Sequence, residues 1–130
     1  MPVDIKKFTK HLRDNAALMP PGKGRCGEYV RKALQAGGAN FNGSNPGTGK
    51  EYGPTLLRLG FHEIIVANPD TFNFMPGDIM VMEPYEKSTN NAGHVAGYDG
   101  RNWISDFIQN DYWAGPRYRK ERPKNAVFRY

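Results

Sequence analysis

The sequence predicts an α+β fold in which N-terminal helices pack on an antiparallel sheet. Three observations carry this. Apolar residues recur at helical spacing in the first third of the chain, and short apolar runs bounded by turn residues fill the rest. The 15 glycines and 10 prolines interrupt the chain too often for a helical bundle. A length of 130 residues suits one hydrophobic core, so residues 1–130 are read as a single domain. An aromatic share of 12% argues against disorder.

Residues 4–17 place Ile5, Phe8, Leu12 and Ala16 three and four apart, with Lys6, Lys7, Lys10, Arg13 and Asp14 between them, an amphipathic helix. Met19-Pro20-Pro21-Gly22 stops it. A second helix spans residues 24–35, with Tyr29, Val30, Ala33 and Leu34 as its apolar stripe, and Gly37-Gly38 ends it. Residues 38–54 are rich in glycine and read as a long surface loop, of the kind that often carries function. Thr55 to Leu59 form a short helical turn closed by Gly60.

Phe61 to Val66 follow as a strand, with Ile64, Ile65 and Val66 as its buried part. Met75-Pro76-Gly77-Asp78 is a turn, and Ile79 to Met82 are a buried strand. After a polar loop from Glu83 to Gly93, His94–Tyr98 and Trp103–Ile108 form a hairpin across Asp99-Gly100. Val127-Phe128 add a last edge strand.

The formal charge of +5 and pI near 9.4 favour an anionic partner: nucleic acid, a membrane surface or bacterial cell wall. Much of the excess lies in Arg117–Lys124, which reads first as a solvated face and second as a grip on a nucleic-acid backbone. A single cysteine excludes an internal disulfide. The first residues lack the apolar run of a signal peptide, and no stretch reaches membrane-spanning length. Synthesis in the cytoplasm without membrane insertion is therefore expected, and action outside would require another export route.

The chemistry centres on Cys26, where a Gly- and Pro-rich loop runs into the second helix. Unpaired N–H groups and the positive dipole end at a helix start favour thiolate. A buried, inert thiol is the alternative. Of the three histidines, His11 lies on the polar side of the first helix and His62 heads a strand. His94 follows Gly93, whose lack of a side chain leaves room for a substrate, and it is the candidate base. Asp106 lies twelve residues on, across the hairpin. The two share a face only if the hairpin loop has an odd number of residues. Neither metal-ligand spacing nor a phosphate-binding glycine pattern is present, so no metal and no cofactor are expected.

In order, the chain shows Cys26 at an early helix start, the Met75-Pro76-Gly77-Asp78-Ile79 turn, and Gly93-His94-Val95-Ala96-Gly97-Tyr98 followed by a polar residue on the next strand. This resembles the NlpC-type and CHAP-type cysteine peptidases of bacterial cell walls, compact papain-like domains. The resemblance spans residues 24–108. It implies a triad in which Cys26 attacks an amide carbonyl, His94 is base and acid, and Asp106 orients His94 in a place where the family commonly holds His, Asn, Gln or Glu. The glutamine that papain-like peptidases carry before the cysteine is missing. The Cys26 N–H, together with Tyr29 or a loop amide, is left to bind the oxyanion. The 39–53 loop, including Tyr52, and the aromatics Tyr112, Trp113 and Tyr118 are candidate groove walls.

The resemblance implies a peptidoglycan-cleaving amidohydrolase or endopeptidase, either a phage-type lysin or an amidase effector delivered into a rival cell by a secretion machine. An effector implies an immunity protein as partner. Other readings remain: an acyltransferase or protein-directed toxin with the same triad, a nucleic-acid-binding module with a structural Cys26, or an inactive wall-binding module. Positive charge would steer the enzyme to the anionic wall, so added salt should lower activity.

Overall fold

A computed structural model describes residues 2–18 and 24–130; the Met19-Pro20-Pro21-Gly22 stop predicted for the first helix lies outside the described residues. Helix α1 (Ile5–Asn15) begins where the Asp4 carboxylate accepts the Lys7 N–H at 3.1 Å, an ordinary side-chain cap. It buries Phe8 and Leu12. Helix α2 (Cys26–Ala36) buries Val30, Ala33 and Leu34 and lies against α1, and Gly37 ends it. Cys26 is the first residue of α2, as expected from the loop-to-helix transition.

The 38–54 stretch is more structured than its glycines suggest. A 3-10 turn at Gly49–Glu51 leads directly into α3 (Tyr52–Arg58), and Phe41, Tyr52 and Leu56 are buried. Those aromatic side chains anchor what composition alone reads as loop.

Strands β1 (His62–Ile64), β2 (Ile79–Met82), β3 (His94–Tyr98), β4 (Trp103–Ile104) and β5 (Asn125–Arg129) form one antiparallel sheet in the order β1-β5-β2-β3-β4. Helix α4 (Pro116–Glu121) precedes β5. The expected α+β architecture is borne out, with three corrections to its strands. The first strand is three residues long and Ile65 is 93% exposed, because β1 sits at the sheet edge. β5 is not an edge strand: it lies between β1 and β2. The Trp103–Ile108 strand stops at Ile104, because residues 106–108 turn away to pair with Ala17.

Both faces of the sheet are covered. Ile79, Val81, Val95 and Phe128 share a cluster with α1 and α2, while Met80, Met82, Ala96 and Val127 meet an aromatic cluster of Trp103, Tyr112 and Trp113. Phe74 stacks on Tyr112 at 5.5 Å and stands edge-on to Trp103 at 4.8 Å. Double burial explains why β2 is apolar at every position. Asp78, closing the Pro-Gly-Asp turn, is fully buried. It accepts the Met75 N–H and both arms of Arg129 at 2.8 Å, so the motif locks β2 to β5 and carries no chemistry.

Candidate active site

The Cys26 sulfur sits where α2 meets the start of β3. Backbone N–H groups of Val95, Gly27 and Cys26 itself point at it. The helix start is held in place by Asp106, which is buried and accepts the Arg25 N–H at 3.2 Å and the Ser105 hydroxyl at 3.2 Å. A carboxylate at this end of a helix also complements the dipole. Two glycines permit the close packing around the neighbouring histidine. Gly93 has φ +67, and a Cβ there would stand 2.2 Å from the Met82 carbonyl oxygen. A Cβ on Gly49 would meet the His94 carbonyl carbon at 2.7 Å, so only glycine lets the 3-10 turn lie against β3.

His94 is buried, and its Nε2 donates to Gln109 Oε1 at 2.7 Å. The orientation of that amide is fixed by its own donors. Gln109 Nε2 faces the carbonyls of Asp111, Tyr112 and Trp113 at 3.1, 3.2 and 3.4 Å, so Oε1 must be the end that meets the ring. The neutral imidazole therefore carries its proton on Nε2 and leaves Nδ1 as the basic nitrogen.

This corrects the expectation for Asp106. The hydrogen bond to the imidazole comes from Gln109, while Asp106 acts on Cys26 and His94 through its charge and holds the backbone ahead of the cysteine. The reason is the hairpin. Tyr98 pairs with Trp103, leaving four residues in the loop, an even number, and the ladder ends at Ile104 before Asp106 is reached. The chain bends back so that the Gln109 N–H donates to the Trp103 carbonyl at 2.8 Å, which delivers the glutamine to the histidine.

Burial is the largest influence on both titrating groups. It pushes the Cys26 thiol up, an effect that the three backbone N–H groups oppose and the Asp106 charge reinforces. The same burial pushes His94 down, against Gln109 and Asp106, which raise it. A helix start by itself favours thiolate, whereas desolvation favours neutral thiol and neutral imidazole.

The predicted substrate contacts fall in different places. Tyr52 is buried and donates to the Gly27 carbonyl at 2.5 Å, pinning α3 beneath the first turn of α2. Tyr29 lies with Arg25 beside His11 and Asn15, in a hollow that adjoins the groove at Cys26 across Arg25 and Glu28 without Tyr29 lining that groove. Trp113 is 2% exposed; its indole donates to Asp70 at 3.1 Å beneath the Arg122 guanidinium. Tyr118, half-buried on α4, stands 6.2 Å from the His94 ring, and its hydroxyl is pushed up to about 12 by burial and by the nearby Cys26. The basic C-terminal stretch is internally committed: Arg119 pairs with Asp111, Arg122 with Asp70, and Arg117 lies over the Tyr85 ring. Among the described residues no helix is long and apolar enough to cross a membrane, and no cluster of His, Cys, Asp or Glu is arranged to hold a metal ion.

No protein-family model matches the chain, and no curated protein matches it significantly. Solved structures do. In the type VI native effector–immunity complex Tae3–Tai3 from Ralstonia pickettii, one chain is 36% identical, with a TM-score of 0.79 and 98% of each chain covered. The selenomethionine form of that complex matches at 37% identity and TM-score 0.78, over 94% of this chain and 98% of the other. The chain belongs to the Tae3 effector family. For this member of the family, the match runs through the helix that starts at Cys26 and the strand that starts at His94.

Proposed function

We propose that the chain is a type VI-delivered cell-wall hydrolase, a cysteine amidohydrolase or endopeptidase of NlpC-like mechanism that cleaves an amide bond in the peptidoglycan stem peptide. Cys26 is the nucleophile, His94 the general base and acid, Gln109 the residue that orients His94, and Asp106 the buried charge that stabilises the imidazolium. The observation that carries the reading is the locked His94 tautomer at the start of the strand whose Val95 N–H faces the Cys26 sulfur.

In the first half-reaction His94 Nδ1 takes the thiol proton as Cys26 Sγ bonds to the substrate carbonyl carbon. The negative charge that develops on the carbonyl oxygen is met by backbone N–H groups at the start of α2. The C–N bond then breaks and the proton on Nδ1 passes to the leaving nitrogen, giving a Cys26 thioester and a free amine. In the second half-reaction water gives a proton to Nδ1 and its oxygen bonds to the acyl carbon. The C–S bond breaks, a carboxylic acid leaves, and the thiol recovers its proton. Burial raises the Cys26 thiol and lowers His94, which favours proton transfer that accompanies the attack.

Membership of the Tae3 family supports delivery by a type VI machine onto the wall of a rival cell. The Tae3–Tai3 complex supports an immunity protein as the partner that protects the producing cell. Digestion of purified peptidoglycan with the wild type and with Cys26→Ala, followed by mass spectrometry of the soluble fragments, tests the reading. Wild type should release peptides with one new amine and one new carboxyl end; release of the same peptides by Cys26→Ala would refute it.

A further inference from the structure

The groove that opens at Cys26 has a volume of about 310 Å³, walled on one side by the first turns of α2 through Arg31 and on the other by residues 45–49. Its charges are unevenly matched. Glu28 bonds both Arg25 and Lys32, the latter at 3.0 Å, and the two cations hold its carboxyl down at about 2. Glu51 is occupied by the Thr48 hydroxyl at 2.9 Å and the Gly47 N–H at 3.4 Å. Arg31 alone among the charged groups of this wall makes no ion pair with the described residues. One arm of its guanidinium donates to Gln35 at 3.2 Å, and the side chain is half-buried in the groove.

A planar, permanently charged fork with unused donors matches a carboxylate. Arg31 lies five residues beyond Cys26 on α2, a rise of about 7.5 Å, or the span of about two extended residues. We propose that Arg31 is the carboxylate-recognition residue of the groove, and that the substrate is a peptide bearing a free carboxylate within about two residues of the scissile amide. This rests on the hydrolase reading and names the chemistry that selects the bond.

The test uses purified muropeptides in two forms, with free carboxylates and with those carboxylates converted to primary amides, digested by wild type, Arg31→Gln and Arg31→Lys, with Cys26→Ala as the control. Wild type should cleave the amidated form with kcat/KM about 10- to 100-fold lower. Arg31→Gln should lose a similar factor on the native form and lose little more on the amidated one, and Arg31→Lys should recover part of the loss. Equal losses by Arg31→Gln on both forms, wild-type rates in Arg31→Gln on the native form, or no discrimination by the wild type would each overturn the proposal alone. Cleavage of neither form by the wild type, or equal cleavage by Cys26→Ala, would overturn the hydrolase reading with it.

Discussion

Replacing Gln109 by Leu separates the two candidates for the partner of His94. The substitution nearly conserves volume but removes the oxygen that accepts the Nε2–H at 2.7 Å and the amide that serves three backbone carbonyls. When His94 becomes imidazolium during attack, the lost bond is one to a charged group, worth about 1.5–3 kcal/mol. That corresponds to a fall in kcat of roughly 10- to 150-fold. KM should hold, since Gln109 does not line the Cys26 groove. Asp106→Asn leaves the imidazole bond intact and should cost less in kcat, while lowering the His94 pKa further by removing a charge that raises it. The assay pairs steady-state kinetics on purified muropeptides with ¹⁵N shifts of the imidazole. These should report Nε2–H in the wild type and in Asp106→Asn, and a tautomer mixture in Gln109→Leu. A Gln109→Leu enzyme with wild-type kcat and an unchanged tautomer would refute the orienting role.

Other expectations follow from the same geometry. His94 is held below its ordinary value by burial, so the unfolded chain takes up protons first. Stability should fall as the pH drops below about 6.5 and be fully lost from this source below the depressed value, a slope absent in His94→Gln melts. Arg129→Met strands the fully buried Asp78 carboxylate and should destabilise by about 3–5 kcal/mol in denaturant titrations, whereas Lys120→Ala on the exposed face of α4 should change stability by less than about 0.5 kcal/mol. Gly93→Ala places a methyl against the Met82 carbonyl in a left-handed backbone, and it should lower both melting temperature and kcat.

The candidate nucleophile and the candidate base stand out in residue order because each sits at an element boundary with a local signature. A Gly-rich approach to an amphipathic pattern marks Cys26, and Gly93 before an apolar run marks His94. The third residue is set by tertiary contacts. Strand alternation in the sequence continues through Asp106, yet β4 ends after two residues because Ala17 pairs with residues 106–108 and bends the chain. The usable signal for Gln109 was chemical: glutamine is among the residues such a triad accepts, and it lay five residues beyond the strand. Tyr52 and Trp113 are buried and do not wall the groove, for a related reason. Aromatic residues in a glycine-rich stretch resemble a groove wall in sequence, but here they supply the burial that holds the stretch in place. Likewise β5 offers only a short apolar run, Ala126 to Phe128, since its outer positions carry Asn125 and the Arg129 that answers Asp78.

In the proposed reaction the acyl part of the cleaved amide is carried as a thioester on Cys26. The most direct measurement is acid-quenched mass spectrometry of the intact protein during turnover of purified muropeptides, with peptide mapping of the adduct. The expected result is a transient mass increase equal to the acyl fragment, mapped to Cys26, absent in Cys26→Ala and discharged by hydroxylamine. Turnover with no adduct on Cys26 at any quench time, accompanied by the same fragments from Cys26→Ala, would contradict it.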